Sequence, residues 1–234
     1  MKKLFMILLF CNIHLSLLST QIMKLNRGYL FSLEGANGCG KTTVIKILEK
    51  LLADNNLLAI TTREPGATDL GKNIRAILMN RTAPTNPRAE ALLFAADRAQ
   101  HFDELILPYL AQNYIVISDR MVDSSFVYQS YLKRLDQTTL AAINNFAMQE
   151  RRPNLVFYLK IDATTSMKRM NHRNQTQATD AFHQEALEKN QQIIDGYDKI
   201  LENRNDVVII DATQSCEIVA EQIYQAIVNY IGNL

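Results

Sequence analysis

The sequence predicts an α/β fold in which five parallel strands form one doubly wound sheet with helices on both faces. Three observations lead there. From Gly28 onward, short apolar runs alternate with longer stretches of helical periodicity, the pattern of a sheet assembled from βαβ units. The short runs are rich in β-branched and aromatic residues and lack strict alternation, which suits strands covered on both faces. The length of 234 residues and the hydrophobic content of 47% suffice for one substantial core and require no second.

The strands are expected at 29–33, 58–62, 114–118, 155–161 and 207–210. Between the first two, 42–54 carries Val44, Ile45, Ile47, Leu48, Leu51 and Leu52, a wide apolar stripe that must pack against the sheet. Further helices are expected at 69–80, 87–111, 136–149, 164–171, 180–202 and 215–230. Pro87 suits a first-turn position, where its missing N–H would be unpaired in any case. The stretch 171–179, polar and without apolar periodicity, reads as a mobile loop between two helices. No internal repeat or low-complexity tract is present.

Lys plus Arg total 25 against 24 for Asp plus Glu, and the resulting formal charge of +1 gives no reason to expect a nucleic-acid polymer as partner. Cys11, Cys39 and Cys216 are far apart and fall in no metal-ligand or disulfide spacing, which fits a reducing compartment. At the N-terminus, Lys2 and Lys3 precede a mostly apolar run over 4–18 that looks like a secretory signal. Asn12 and His14 interrupt it, it is short for a membrane span, and no small-x-small cleavage site follows. Met23 then opens Met-Lys-Leu-Asn-Arg-Gly, which reads as an ordinary start. Residues 1–22 are therefore expected to be a mis-assigned start, the alternative being a true signal or anchor, and 23–234 one domain.

Gly35-Ala36-Asn37-Gly38-Cys39-Gly40-Lys41-Thr42 matches the GxxxxGK[ST] phosphate-binding pattern and falls between an expected strand and an expected helix, the context the motif requires. Backbone N–H groups and the positive end of a helix dipole must converge on phosphates, and glycines clear the approach. Lys41 would neutralise the β- and γ-phosphates of ATP, Thr42 would give a hydroxyl to Mg²⁺, and Thr43 continues the loop into the helix. An ATP-dependent protein belongs in the cytoplasm. A second carboxylate on the Mg²⁺ side is expected where a strand ends, and Asp119, Asp162 and Asp211 all stand at such ends. Asp119 is preferred because Arg120 beside it could meet transferred charge; the other two read as helix-cap residues.

A phosphate loop alone also fits switch GTPases and motors. No NKxD guanine-reading string occurs, which counts against a switch. Thr62-Arg63-Glu64-Pro65-Gly66 instead follows the second strand, at the sheet edge where ligands bind, and Arg63 there can fork onto a phosphate.

The chain here resembles the thymidylate kinase family. The resemblance runs from about residue 28 to the C-terminus and is carried by five strings. They are Glu34-Gly35 with the phosphate loop, TREPG at 62–66, Leu70-Gly71 to Arg75, EALLFAADR at 90–98 and DRMVDSSFVYQ at 119–129. It implies a P-loop NTPase fold with a helical lid at about 164–185, and transfer of phosphate from ATP·Mg²⁺ to dTMP, giving dTDP for dTTP biosynthesis. Taken alone, Phe94 reads as helix core and Arg98 as a solvated residue. The resemblance turns both towards a nucleotide, with Phe94 stacking on thymine at about 1–3 kcal/mol and Arg98 donating to a thymine carbonyl. It further implies that Gln129 pairs with the N3 edge and that Arg63, Arg75 and Arg120 hold the 5′-phosphate. Glu64 would lie near sugar and metal, Ser125 near base and sugar, and Tyr128 against the sugar.

Lys41, Arg120 and Arg173 are the implied catalytic cations, and Thr42 and Asp119 the metal-side residues. Arg169, Arg173 and the segment 211–213 are implied on the ATP side, and a homodimer is implied. Four departures from the family pattern stand out: Asn37 in the phosphate loop, Ala67 after TREPG, Met121 after Asp-Arg, and Ala181 in place of a lid arginine, so that Arg173 would carry that charge instead. The rivals are a kinase for another nucleotide or a deoxynucleoside, and a nucleotide-binding relative without catalysis.

Overall fold

The computed structural model describes residues 25–80, 84–174 and 180–232, with side chains throughout except at 173, 174 and 180–183. The N-terminal extension at 1–22 lies outside the described residues. Among the described residues, no helix is long and apolar enough to cross a membrane.

Five strands form one parallel sheet: β1 (Tyr29–Glu34), β2 (Ala59–Arg63), β3 (Ile115–Asp119), β4 (Leu155–Lys160) and β5 (Val207–Asp211), in the order β2-β3-β1-β4-β5. Strand order reverses at β1, so a crevice opens beyond its carboxyl end, where such sheets bind ligands. The register brings Arg63 and Leu33 level with Asp119, so residues from three strands share one rim.

Alternate side chains of the same strand feed different cores, as their period of two dictates. Tyr29, Phe31 and Leu33 pack with α1 (Lys41–Asp54) and with the C-terminal helix Cys216–Gly232, where Val44, Leu48 and Leu52 are fully buried. Each such leucine contributes about 1.5–3 kcal/mol by leaving water. Leu30 and Val116 face the other way, into a core with Phe102, Ile106 and Phe126. Val156 and Tyr158 pack on Ile193, Ile194 and Tyr197 in a third cluster.

Helix α2 (Asp69–Met79) is capped by Thr68, whose hydroxyl accepts the Gly71 N–H at 3.0 Å, and α3 (Pro87–His101) by Asn86, with Pro87 in its first turn as expected. The helix expected over 87–111 keeps its path but not its geometry. It widens into a π-type turn at Phe102–Ile106 and resumes as α4 (Leu107–Ala111). Pro108 explains the position, because it supplies no N–H and its ring crowds the carbonyl four residues back.

One helix was absent from the sequence expectation: α5 (Val122–Ser125), continued by a second π-type turn at Phe126–Leu132. Its Val, Ser, Phe and Tyr residues are weak helix formers, and tertiary contacts hold it: Val122, Phe126 and Val127 are buried, and Ser124 and Gln129 bond to Glu34 and Glu90. After α6 (Gln137–Ala147) and β4 come α7 (Ala163–Asn174) and α8 (Asp180–Leu201), and the C-terminal helix is α9. Residues 171–174, expected in a loop, complete α7; the rest of that expected loop, 175–179, lies outside the described residues.

Candidate active site

The phosphate loop runs from the end of β1 into α1. Its glycines are forced by what surrounds them: Gly35 has φ 142°, and a Cβ there would stand 2.7 Å from the Leu159 carbonyl oxygen. Gly38 has φ 81°, and a Cβ would meet the Ser166 carbonyl oxygen at 2.6 Å, so α7 lies directly on the loop. Lys41 is buried and folded back, its Nζ donating to the carbonyls of Gly35 at 2.9 Å and Ala36 at 3.2 Å. Burial, with Arg120 nearby, lowers its pKa. An anion entering the loop offers Lys41 a better partner than these neutral carbonyls.

Asn37, Gly38, Gly40, Lys41, Thr42 and Thr43 line a cavity of about 440 Å³, together with Arg169 of α7 and Cys216 of α9. Gly35, Ala36 and Cys39 lie behind it, Ala36 and Cys39 wholly buried. A second cavity, also about 440 Å³, is lined by all nine residues expected around the acceptor: Arg63, Glu64, Arg75, Phe94, Arg98, Arg120, Ser125, Tyr128 and Gln129. They come from β2, α2, α3, β3 and the α5 segment, so the expected cleft is one continuous space. The two cavities share Asn37, Thr42, Arg75, Asp119 and Arg120. A group passing between them would cross this junction.

Arg120 occupies the junction with φ 68°, a left-handed backbone for a non-glycine residue. Its side chain is fixed on several sides: Nη1 donates to Tyr197 Oη at 2.6 Å and Ser124 Oγ at 3.2 Å, and Nη2 to Asn37 Oδ1 at 2.8 Å. Behind these hydroxyls lies Glu34, fully buried. It accepts from the Met121 N–H at 2.7 Å, Ser124 Oγ at 2.6 Å and Tyr197 Oη at 3.2 Å. Burial, and then the neighbouring Asp123, push the Glu34 carboxyl up to about 7.

Of the three strand-end carboxylates, Asp162 accepts the Thr165 N–H and Asp211 the Thr213 N–H, as cap and turn residues do. Asp119 differs. It borders both cavities, and its Oδ1 is buried without a hydrogen-bond partner among the described residues. A buried oxygen of this kind calls for a partner.

The TREPG segment is anchored from below. Glu64 turns inward, pairing with Arg98 Nη2 at 2.7 Å and His101 Nδ1 at 3.1 Å, while Arg98 Nη1 also donates to Asn144 Oδ1. Arg98 and His101 outweigh the effect of burial and hold the Glu64 carboxyl below its usual range. Asp97 takes the Gly66 N–H at 2.9 Å, and burial with Glu64 nearby raises its carboxyl to about 6. Arg75 Nη1 donates to the Pro65 carbonyl at 2.9 Å. Arg98 is thus only 1% exposed and lies at the floor of the cavity, neither solvated nor free. Arg63, by contrast, is exposed at the rim.

Arg169 spends its guanidinium on the carbonyls of Ala212, Thr213 and Gln214, fastening α7 to the loop after β5. The side chain of Arg173 lies outside the described residues.

A family model described as thymidylate kinase matches residues 33–223. The chain belongs to the thymidylate kinase family. Its similarity to curated members is close to end to end. It is 36% identical over 201 residues to a thymidylate kinase of Clostridium novyi, covering 85% of this chain and 98% of the relative. It is 38% identical over 205 residues to one from Enterococcus faecalis, covering 86% and 96%, and 37% over 193 residues to one from Halalkalibacterium halodurans, covering 82% and 91%. For this member of the thymidylate kinases, the sequence strings missed part of what organises the site: Ser124, Tyr197 and Asn144 received no role, and neither did Glu34, although it heads one of those strings. Tyr197 lies 77 residues from Arg120 in the chain, and no local pattern connects them.

Proposed function

We propose that this protein transfers the γ-phosphoryl group of ATP to dTMP, giving dTDP, in the cytoplasm. The observation that carries this reading is the pair of cavities meeting at Asn37, Thr42, Arg75, Asp119 and Arg120, one floored by the phosphate loop and the other by Phe94 with Arg98. ATP would occupy the loop side, with Lys41 leaving its two carbonyls for the phosphates. The base of dTMP would lie against Phe94, with Gln129 and Arg98 at its edge and Tyr128 and Ser125 near the sugar. Arg63, Arg75 and Arg120 would hold its 5′-phosphate at the junction. Catalysis is then positioning plus charge stabilisation, with Arg120 and the lid residue Arg173 as cations at the transferred group.

The residues fit Mg²⁺. The Asp119 oxygen, without a partner among the described residues, and the exposed Thr42 hydroxyl border the same junction, and this ion takes one or two protein oxygens beside phosphate and water. When bound it would neutralise charge on the phosphates of ATP.

A second copy of this chain would pack on α2, α3 and α6, which are neighbours in space. Supporting this, Ile77 is 60% exposed, Leu92 56% and Phe146 84%, one large apolar side chain from each of the three helices. Phe146→Glu should shift the molecular mass by light scattering to that of a monomer.

The test of the activity is ADP release with dTMP, dUMP, UMP, dCMP, AMP and thymidine as acceptors. The reading expects dTMP to be preferred. Thymidine turned over as fast as dTMP would refute a phosphate-holding arginine cluster, and ATP binding without any turnover would favour a non-catalytic relative.

A further inference from the structure

Glu90 opens the string that carries Phe94 and Arg98, yet none of the chemistry above uses it. It sits in the first turn of α3, and its side chain is 3% exposed and borders the acceptor cavity. Two residues of that cavity reach its Oε1: Gln129 donates Nε2 at 2.9 Å, and Lys133 Nζ makes an ion pair at 2.5 Å. A carboxylate in an ion pair has no proton to give and accepts only. The end of the Gln129 carboxamide that meets Glu90 must therefore be its NH₂. Turning it over would set oxygen against oxygen in a buried site, which costs far more than a missing hydrogen bond. Gln129 Oε1 is left as the end without a donor among the described residues.

This orientation has a chemical meaning. A carboxamide can read a base edge as donor or as acceptor, and the two readings select opposite pyrimidines. Thymine and uracil carry N–H at ring position 3, whereas cytosine carries an unprotonated nitrogen there. We propose that Glu90 is a specificity-determining positioning residue: by holding Gln129 Nε2 it commits Gln129 Oε1 to the cavity, so that bases with N3–H are accepted and cytosine is rejected. The inference rests on the acceptor cavity being a pyrimidine nucleotide site.

The experiment measures kcat/KM for dTMP, dUMP and dCMP in the wild type, Glu90→Gln, Gln129→Leu and the double variant. A glutamine in place of Glu90 would offer both a donor and an acceptor, so Gln129 is free to turn. Glu90→Gln should narrow the dTMP-to-dCMP ratio by at least about tenfold. It should leave the dTMP-to-dUMP ratio unchanged, because those two bases share N3–H, and it should change nothing further in the Gln129→Leu background. An unchanged dTMP-to-dCMP ratio, or the same narrowing without Gln129, overturns the inference and leaves the dTMP kinase reading intact. A wild type that does not turn over dTMP overturns both. If Glu90→Gln does not fold, a crystal structure of the wild type with dTMP decides: Gln129 must bridge Glu90 and ring N3, and a Gln129 that has left Glu90 refutes the proposal.

Discussion

Replacing Glu34 by Gln should make the fold more stable, by an amount that grows as pH rises from about 4.5 to 7 and is complete above neutral pH. The Glu34 carboxyl is fully buried at the end of β1, and burial with the nearby Asp123 raises it from the ordinary 4.5 to about 7. Between those two values the folded protein retains a proton that the unfolded chain has lost. Stability therefore falls as pH rises through that window, and the cost is fully present above pH 7. A displacement of this size corresponds to about 3 kcal/mol. A glutamine removes the charge and keeps the shape. Its oxygen can still take the Met121 N–H, and its NH₂ faces the hydroxyls of Ser124 and Tyr197, which rotate to accept. Urea unfolding should show the variant more stable than the parent by about 3 kcal/mol at pH 8 and by under about 1 kcal/mol at pH 5. An advantage of equal size at both pH values, or a variant weaker than the parent at pH 8, would refute the argument.

Three further outcomes are expected. Arg98→Ala leaves Glu64 buried with His101 as its remaining ion-pair partner among the described residues, so it should cost about 3–5 kcal/mol of stability in urea or thermal melts, and base selection at this position must be judged only on variants shown to fold. Lys41→Ala should lower kcat at least about 100-fold in the ADP-release assay with little change in melting temperature, since among the described residues the lysine donates only to carbonyls of its own loop and to the Cys39 sulfur. Tyr197→Phe keeps the ring stacked on Tyr158 at 5.6 Å but removes the hydroxyl that Arg120 Nη1 meets. It should lower kcat/KM for dTMP about tenfold while the KM for ATP stays constant. Equal effects on both substrates would show that Tyr197 serves general packing.

The sheet was legible because buried parallel strands leave continuous apolar runs, and all five fall within one or two residues of their expected bounds. The helix at 122–132 was not, since Val-Asp-Ser-Ser-Phe-Val-Tyr carries weak helical propensity and is shaped by its contacts with Leu30 and Val116 across the core. The same division holds in the site. The phosphate loop is a local device whose spacing is its mechanism, so it can be read directly. Arg98, taken alone, looks like a solvated helix residue, because its partners Glu64, Ser125 and Asn144 come from three other segments. Glu34 and Tyr197 meet because α8 packs on β4, the strand beside β1, a relation that no motif encodes.

The grip of α7 on the phosphate loop reaches further than the loop. Ser166 Oγ donates to the Asn37 carbonyl at 2.5 Å, Asn190 Nδ2 of α8 donates to Ser166 Oγ at 2.7 Å, Tyr197 of α8 accepts from Arg120, and Arg120 returns to the Asn37 side chain. These contacts form a closed circuit with no free end, so a nucleotide that displaces one member must work against the rest. Were occupants of the two chambers coupled through this circuit, thermodynamic reciprocity would require that whatever the first does to the affinity of the second, the second does equally to the first.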